Sequence, residues 1–513
     1  MKTVALHSAA GRWVMLSTIV ASAMGYIDMT GLNVVLPALQ KGLNANGPDL
    51  FWILNGYLLM MASLILVGGA LGDKLGRKKV FMVGIFVFIA GSALCGFAGS
   101  ITALVCFRII QGIGGAMMIP GSLSLISSSI NANERGKAIG IWSASSTIFT
   151  MGGPILGGTL ADAGLWRYIF FLNVPLGVAT LIILYFKVNE NREDDNKAID
   201  FWGAGTLATG LTLLTFGFLR IPIVGFHHLS VYLSLAGGVI FLLLYVLIEK
   251  RSSHPMVPLT LFSNPLFSGT NLLTFFLYAG LSASTLFLSL NLVQVQGYSQ
   301  FHSGLTFLPF TILMASASGY VGGLSDKYGS RLFLIAGPLI TGIGQLMLSF
   351  VTQTGGAHQY FTTFFPGILV LGVGMTLTVT PLTSTVMGSV SKHFSGIASG
   401  VNNAMTSISR VVANAVFGAL AIVFFSAALQ HGLANNSWEP AKKNIVLTQA
   451  SNLGNATVPP ELVQHEQEVK QLYRESFITA FAKIQRISAG LSFLAALMTI
   501  VFIKKSVKYV QPT

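Results

Sequence analysis

Long apolar stretches separated by short polar loops run along almost the whole of this sequence. Each stretch holds about 20 residues or more, the length at which an α-helix crosses the hydrocarbon core of a bilayer. The pattern predicts a polytopic, all-α membrane protein with fourteen transmembrane segments. We place them near residues 13–37, 50–72, 80–99, 101–128, 137–161, 168–187, 200–219, 229–248, 266–291, 303–325, 332–352, 361–387, 396–425 and 480–503.

Composition supports this class and excludes an ordinary soluble domain. Hydrophobic residues make up 53% of the chain, charged residues only 9%, and the mean hydropathy is +0.71. A typical soluble domain has about 25% charged residues. Cys95 and Cys106 have neither metal-site spacing nor the number that a disulfide framework needs. The sequence shows no nucleotide-binding loop, metal cluster or catalytic-triad spacing, so we do not expect an enzyme or a bound cofactor.

The formal net charge of +13 indicates orientation rather than a nucleic-acid partner. With the N-terminus placed in the cytosol, Lys and Arg gather in the loops on that side, as at 74–79 and 504–508. The short outer loops keep only Lys41, Arg167 and Arg220. This asymmetry follows the positive-inside rule. An even number of segments then places both termini in the cytosol.

Three polar regions interrupt the apolar pattern. Residues 188–199 and 249–265 are linkers on the predicted cytosolic side. Residues 426–476 form a long outer insertion before the last segment, and 460–473 within it has the pattern of a charged amphipathic helix. The insertion is either a solvated cap, which is the simpler interpretation, or a gate or docking surface.

Two loops on the predicted cytosolic side share a sequence pattern. Residues 69–78 read GALGDKLGRK and residues 322–331 read GGLSDKYGSR, so Gly, Leu, Asp, Lys and Gly recur at a constant spacing. Each copy joins the second and third helices of a six-helix set, and such parallel repeats are typical of secondary transporters. We therefore expect an N-terminal half at 1–187, two inserted helices with their linkers at 188–265, and a C-terminal half at 266–513.

Charged residues inside the predicted segments are few. Asp28 is the one acid well inside a segment, and ionisable groups in hydrocarbon mark functional sites by default. The alternative is a hydrated position near the outer face. Arg108 lies about 10 Å below the outer end of its segment and Asp28 about 13 Å below its own, so we expect them to pair. Arg410 is a third charge, which either faces the cavity or bonds to carbonyls and nearby asparagines.

Polar and aromatic residues inside the segments are candidates for a large, weakly directional substrate cavity. Each is alternatively a hydrogen bond between helices, which is the more frequent role of such residues. The candidates are Tyr26, Asn33, Asn55, Gln111, Trp142, Asn271, Tyr278, Asn291, Gln294 and Asn403, together with Arg410.

Several of these stretches resemble motifs of the major facilitator superfamily. The 69–78 loop is similar to its GxLaDrxGrk signature, and RIIQGIGG at 108–115 resembles its segment-4 motif. GPILGG at 153–158 resembles the antiporter motif of segment 5, although Phe149 stands where that motif begins with glycine. The resemblance covers nearly the whole chain.

Two further stretches resemble the fourteen-helix drug:proton antiporter branch of that superfamily: YIDMTGLNVVLP at 26–37 and WRYIFFLNVP at 166–175. The resemblance implies a major facilitator fold of two six-helix halves with two inserted central helices. It also implies that Asp28 and Arg108 couple proton movement to transport, because protonation of Asp28 would weaken their pairing. It implies a cytosolic gate motif and an antiporter motif, formed respectively by Gly69, Asp73, Gly76, Arg77, Lys78, Asp326 and Arg331, and by Gly153, Pro154, Gly157 and Gly158.

The expected function is proton-coupled efflux of lipophilic or amphipathic compounds by alternating access. The expected location is a bacterial cytoplasmic (inner) membrane, with the proton gradient as the energy source and no cofactor. The expected partners are small lipophilic substrates, protons and the bilayer, and a periplasmic adaptor protein stays an open alternative. One rival function is a dedicated exporter of a single endogenous metabolite or lipid. Another is a non-transporting receptor or scaffold, which has no need of membrane-buried charges.

Overall fold

The structure of the protein is a computed structural model that describes residues 3–190, 200–252, 255, 257–390, 395–434, 436 and 438–503. The side chains of a few helical positions, among them Asp73 and Asp326, also lie outside the described part. Most of the expected linker 188–199 and the basic cluster at 504–508 therefore fall outside it.

Helices make up nearly all of the described chain, because a bilayer accepts backbone only when its hydrogen bonds are satisfied internally. Within the described residues, the sole β-type pairing is an isolated bridge between Val4 and Ile130. Short 3₁₀ helices occur at Leu259–Ser263, Ala357–Gln359, Gln449–Asn455 and Pro460–His465. The α-helices are α1 (Ala9–Leu43), α2 (Gly47–Leu75), α3 (Arg77–Phe97), α4 (Ile101–Ser129), α5 (Ala132–Asp162), α6 (Tyr168–Phe171), α7 (Asn173–Lys187), α8 (Phe201–Val224), α9 (Leu229–Arg251), α10 (Pro265–Gln294), α11 (Gln300–Thr306), α12 (Leu308–Tyr328), α13 (Ser330–Ser349), α14 (Phe364–Gly388), α15 (Ser395–Ala434), α16 (Pro440–Thr448) and α17 (Glu466–Phe502).

Each predicted transmembrane segment coincides with helical structure. Thirteen helical spans in the described residues are long and apolar enough to cross a membrane. The remaining predicted segment, 137–161, lies within the 31 residues of α5. Two predicted segments consist of two consecutive helices each, α6 with α7 and α11 with α12. The all-α membrane fold is thus as expected.

The predicted limits of the last segment were wrong. The sequence pattern began this segment at 480 and made 460–473 a charged surface helix leading into it, whereas α17 runs as one helix from Glu466. Residues 460–465 form a 3₁₀ turn instead. The reason is that Val469, Tyr473 and Phe477 are all buried on one face. No glycine or proline interrupts the helix before it becomes apolar.

The chain packs as two compact units. The first comprises Met1–Ala38, Trp52–Leu213 and Ala236–Leu259. The second comprises Leu39–Phe51, Leu214–Leu235 and Thr260–Thr513. Residues of the inserted helices α8 and α9 contribute to both.

The internal repeat is visible in the packing of each unit. In the first unit, a Cβ atom added to Gly84 of α3 would lie 3.1 Å from the carbonyl oxygen of Gly114 on α4. In the second, a Cβ on Gly337 of α13 would lie 2.8 Å from the carbonyl oxygen of Gly374 on α14. Small residues allow membrane helices to approach closely. The corresponding helix pairs in the two units are therefore built by the same backbone contact.

The insertion 426–476 is a packed part of the second unit. The Gln40 side-chain oxygen, near the end of α1, accepts hydrogen bonds from the side chains of Gln294 and Asn455, both at 3.0 Å. Leu462 and Val469 are fully buried. The insertion is therefore a cap with its own apolar contacts rather than a loosely solvated loop.

Candidate functional site

The centre of the first unit holds a buried ion pair between α1 and α4. Nη1 of Arg108 lies 2.5 Å from Oδ2 of Asp28, and neither side chain is more than 1% exposed. The sequence analysis expected this pairing from the depth of the two residues. Removing either partner from such a pair leaves an uncompensated charge in a medium that solvates it poorly.

Gln111 completes the ligation of the carboxylate. It lies one turn beyond Arg108 on α4, and its Nε2 donates to Oδ1 of Asp28 at 3.0 Å. Its Oε1 accepts from Nη1 of Arg108 at 2.7 Å. Both carboxylate oxygens therefore act as acceptors, and Gln111 bridges the two charged groups. Protonation of Asp28 would turn one of these acceptors into a donor and remove one charge-assisted bond.

The guanidinium of Arg108 has several other partners. Its Nε donates to the carbonyl of Ile53 on α2 at 3.3 Å. Its central carbon lies 4.5 Å from the ring centroid of Tyr57 and 5.9 Å from that of Phe170. Aromatic faces attract a cation, more strongly where water is excluded. The positive charge of Arg108 is thus held by α2, α4 and α6 as well as by Asp28.

The network continues to the break between α6 and α7. Ser92 of α3 accepts hydrogen bonds from Gln111 Nε2 at 3.2 Å and from Asn173 Nδ2 at 2.9 Å. It donates in turn to the carbonyl of Phe170 at 2.9 Å. Ser92 and Asn173 are both fully buried. The polar cluster therefore joins four elements of the first unit around the single carboxylate of α1.

The antiporter motif lies on α5 against α1. The backbones of Gly153 and Gly157 approach Gly31 so closely that added Cβ atoms would fall within 3.0 Å of its backbone. Pro154 lies inside α5, where it removes one helical hydrogen bond, and Gly158 is buried. The motif thus provides close packing between these two helices.

Residues 69–79, expected to form a loop, are helical except at Gly76, where α2 ends and α3 begins. This junction is tied to the end of α7. The Glu190 carboxylate accepts from the backbone N–H groups of Lys78 and Lys79, both at 3.0 Å, and so caps the N-terminus of α3. Nζ of Lys78 donates to the carbonyl of Val188 at 2.6 Å. Gly76 has a φ of 109°, and a Cβ there would lie 2.8 Å from Glu190. Backbone conformation and this close approach both require glycine.

The contacts of the other gate-motif residues do not indicate a particular role. A Cβ on Gly69 would meet no heavy atom within 4 Å, and Arg77 is half-buried. Nη2 of Arg331 donates to a carbonyl of α17 at 3.4 Å. The carboxylates of Asp73 and Asp326 fall outside the described residues, so their expected role in the gate motif stays a prediction.

The cavity candidates of the first unit differ in their surroundings. Trp142 is 8% exposed and donates from Nε1 to the hydroxyl of Ser22 at 2.9 Å, which is a contact between helices. Tyr26 and Asn33 are half-buried on α1. Asn55 is fully buried on α2, and both polar atoms of its side chain lack a hydrogen-bond partner.

Three asparagine and glutamine candidates of the second unit form contacts within the protein. Asn271 donates to the carbonyl of Phe267 at 2.9 Å. Asn291 accepts from Gln296 at 3.4 Å, and Gln294 bonds to the end of α1. These contacts are the helix-to-helix and local bonds that the sequence analysis gave as the alternative to ligand binding.

Arg410, Tyr278 and Asn403 are the more accessible candidates of the second unit. Arg410 and Tyr278 are half-buried and Asn403 is exposed. The guanidinium carbon of Arg410 lies 5.8 Å from the ring centroid of Tyr278 on α10. The neighbouring Asn414 accepts from Ser282 at 3.1 Å. Arg410 and Tyr278 thus present a cation and an aromatic face together.

Four residues of this site were not singled out from the sequence. Ser92 and Asn173 complete the polar network, and Glu190 caps α3. Gly31 makes the backbone contact with the glycines of α5. Asn173 and Gly31 lie inside stretches that the sequence analysis quoted, so their polarity and size were visible signals. Nothing in the pattern marks Ser92 or Glu190, because their partners are distant in sequence.

Comparison with known proteins identifies the family of this chain. The sequence model of the Major Facilitator Superfamily matches residues 18–414, a span that contains the buried pair and both loop repeats. This chain belongs to the major facilitator superfamily. It is therefore a multi-pass membrane transporter and not an enzyme.

Relatives of this major facilitator protein include drug-resistance proteins. The multidrug resistance protein Stp of Mycobacterium tuberculosis is 30% identical over 503 residues, which cover 95% of this chain and 91% of that protein. The tetracenomycin C resistance and export protein of Streptomyces glaucescens is 28% identical over 93% of this chain and 90% of its own.

Solved structures of other transporters share the fold. A bacterial homologue of the human lysosomal transporter Spinster, in an inward-facing and unoccupied conformation, matches with a TM-score of 0.67 at 17% identity. The match covers 96% of this chain and 98% of that one. An auto-inhibited peptide transporter of the POT family matches with a TM-score of 0.65 at 13% identity. At these identities the likeness shows the major facilitator fold alone.

Proposed function

We propose that this transporter exports lipophilic or amphipathic compounds, such as drugs, in exchange for protons. The observation that carries the proposal is the fully buried Asp28, ligated by Arg108 and Gln111. A membrane-buried carboxylate with a charged partner is the arrangement expected of a proton-binding site in a transporter. The names of the relatives, which are multidrug resistance and antibiotic export proteins, support drug-like substrates.

The buried pair suits a charge switch. Ionised Asp28 is held by Arg108 and Gln111, whereas the protonated acid loses its charge-assisted bond. A ligand that binds one conformation better than another shifts the equilibrium between them, and here the proton is that ligand. In our scheme, substrate enters from the cytosol or inner leaflet, and protonation from outside favours its release there. The proton gradient supplies the energy without a cofactor.

We place the transporter in a bacterial cytoplasmic membrane with both termini in the cytosol. The positive-inside charge distribution supports this orientation. The packed insertion 426–476 would then face outwards, and an adaptor protein on that side stays an open question for binding experiments. A non-transporting receptor is the weaker alternative, because it has no need of the Asp28 pair.

A second candidate is the dedicated export of a single metabolite. The observation that favours it is that two relatives are named for individual compounds, tetracenomycin C and actinorhodin. Resistance profiling of a deletion strain separates the candidates. Sensitivity to many unrelated lipophilic compounds supports broad efflux, whereas a change for one compound class supports the dedicated exporter.

Asp28→Asn tests the coupling directly. In inverted membrane vesicles with an acidic interior, added substrate should release protons from the lumen through the native protein. The variant should insert normally and release none, because the amide keeps a hydrogen-bonding shape but cannot take up a proton. Unchanged proton release by Asp28→Asn would remove this residue from the mechanism.

A further inference from the structure

The backbones of α1 and α5 are in contact around Gly31. A Cβ on Gly31 would lie 2.7 Å from the carbonyl oxygen of Gly153, and a Cβ on Gly157 would lie 2.6 Å from the carbonyl oxygen of Gly31. These distances are too short for any real side-chain carbon, so the contact requires glycine on both helices. Gly31 is three residues beyond Asp28, on the same helix.

Two side-chain hydrogen bonds join the same helices. Nε1 of Trp142 on α5 donates to the hydroxyl of Ser22 on α1 at 2.9 Å. The hydroxyl of Thr30 on α1 donates to the carbonyl of Thr150 on α5 at 3.2 Å. Together with the glycine contact, these bonds extend from Ser22 to Gly31, which is about 13 Å along α1. A contact of that length resists sliding of one helix along the other.

Asp28 points to a different set of helices. It is the only carboxylate in the sequence of α1, and its bonds go to Arg108 and Gln111 on α4. Through these two residues it meets a group of side chains and carbonyls on α2, α3 and the α6–α7 break. The members of this group are Ile53, Tyr57, Ser92, Phe170 and Asn173.

The two sets of contacts respond differently to a proton on Asp28. The contacts of α1 with α5 are neutral and do not change. The bond from Arg108 to Asp28 loses its charge assistance, whereas Arg108 keeps Gln111, the Ile53 carbonyl and the Tyr57 ring. Arg108 therefore stays with α2 and α4 when Asp28 is protonated. The interface that loosens is the one between α1 and α4.

A neutral bond between α1 and α4 provides a pivot. The hydroxyl of Ser22 donates to that of Ser122 on α4 at 3.1 Å. Ser22 is six residues before Asp28, about 9 Å along the helix. With this bond intact and the Asp28 contact weakened, α1 can tilt about Ser22.

We propose that Gly31 is a positioning residue of the transport cycle, which fixes α5 to α1 so that the two helices move as one body when Asp28 takes up a proton. The proposal rests on the proposed proton coupling and goes beyond it by naming the moving and the fixed parts of the first unit. The antiporter motif then acts by making α5 move together with α1.

The groups around Asp28 make the response specific to one carboxyl. Arg108 on α4 is the facing charge, Cys95 on α3 lies 3.9 Å from Oε1 of Gln111, and Tyr57 on α2 carries the ring beneath the guanidinium. No Asp, Glu, Lys, Arg or His is present among residues 138–161 of α5 or in the α6 sequence. At the start of α5, Glu134 accepts from the backbone N–H of Leu6 and Lys137 lies beside His7. Loss of the pH response in Asp28→Asn therefore assigns the movement of α1 to Asp28 rather than to these groups.

Distances between spin labels test the proposal in the full-length protein. Cys95→Ser and Cys106→Ser remove the native thiols, and labels are placed at exposed ends of helices. One pair, Arg12→Cys with Thr159→Cys, spans α1 and α5 within the first unit. The other, Arg12→Cys with Thr102→Cys, spans α1 and α4 within the same unit. On acidification, the distance from α1 to α4 should change by several ångströms while that from α1 to α5 stays the same.

The outcomes distinguish this proposal from the coupling on which it rests. Asp28→Asn should hold the α1–α4 distance at its acidic value at every pH. If the α1–α5 distance changes as much as the α1–α4 distance, the single-body proposal is wrong although coupling stands. If neither distance responds to pH and substrate-driven proton release is also absent, the coupling itself is wrong.

Gly31→Ala tests the role of the contact in transport, with Gly152→Ala as the matched control. A Cβ at Gly152 would meet no heavy atom within 4 Å, so that variant should export normally. Gly31→Ala should lower the export rate by about tenfold or more, and the substrate-driven proton release coupled to export should fall by the same factor. Normal export by Gly31→Ala would overturn the proposal. The label distances decide the matter if this variant fails to insert.

Discussion

Single residues carry the chemistry of this transporter, and Arg108 shows how many contacts one buried charge requires. Its guanidinium reaches the Asp28 carboxylate, the Gln111 amide, the Ile53 carbonyl and the Tyr57 ring. Each contact replaces part of the hydration that the charge loses in the membrane. Four contacts around one side chain explain why an arginine is tolerated in the interior of the first unit.

Arg108→Leu should destabilise the protein by roughly 3–5 kcal/mol, because it leaves the Asp28 carboxylate buried without its counter-charge. Combining it with Asp28→Asn should recover most of the loss, since the second change removes the orphaned charge. Thermal unfolding in detergent measures both effects. Additive losses in the double variant would show that the pair is not coupled energetically. Transport should remain absent in both variants.

Arg410 tests the charge preference of the carrier. Arg410→Ala should weaken export of anionic dyes and leave cationic dyes unchanged or improved, because the half-buried guanidinium repels cations and attracts anions. Export assays with a matched pair of fluorescent dyes of opposite charge measure the difference. Equal losses for both dyes would assign Arg410 a structural role beside Tyr278.

At the scale of single helices, the start of α3 shows how a residue distant in sequence stabilises a helix end. Its N-terminal amides are capped by Glu190, which lies more than a hundred residues further along the chain and just beyond α7. An acceptor at a helix N-terminus satisfies amides that otherwise lack partners and complements the helix dipole. Gly76, just before α3, leaves space for this carboxylate.

Glu190→Gln should lower stability by about 1 kcal/mol, because a neutral acceptor interacts less with the positive end of α3. Gly76→Ala should lower it further, since the alanine would combine a positive φ with a clash against Glu190. The unfolding temperature of each purified variant gives the comparison. Gly69→Ala, at an open position near the end of α2, is the control and should not lower the unfolding temperature, because alanine is tolerated inside a helix.

At the scale of the whole molecule, the insertion 426–476 stands out as an addition to the two halves. It is packed into the second unit through Gln40, Gln294 and Asn455 rather than exposed as a flexible loop. Buried amide side chains that bond to one another fix such a segment, because breaking the bonds leaves their polar atoms unsatisfied.

Gln40→Ala should loosen the insertion, since it removes an acceptor shared by Gln294 and Asn455, each bond contributing about 1 kcal/mol. Limited proteolysis of the purified protein should then cut within 435–460 faster than in the native chain. Gln471→Ala, at an exposed position of α17, is the control. Equal cleavage rates in all three proteins would show that Gln40 does not hold the insertion.

The sequence by itself determined the class, the positions of the apolar helices and the location of the buried charges. These features follow from local rules, because the thickness of the bilayer sets segment length and hydrocarbon disfavours charge wherever it occurs. The depth of Asp28 and Arg108 could be counted along each helix from its predicted end. Their pairing was therefore predictable without knowledge of the packing.

The tertiary structure decided which residues surround that pair. Ser92, Asn173 and Glu190 reach their partners across 78 to 112 positions of sequence, and no local pattern encodes such contacts. The start of the last helix at Glu466, rather than near 480, was not predicted because burial, and not local polarity, selects the helix there. Glycines are common in membrane helices, so the sequence alone did not mark Gly31. Its role was recognised from its contact with α5, which only the fold determines.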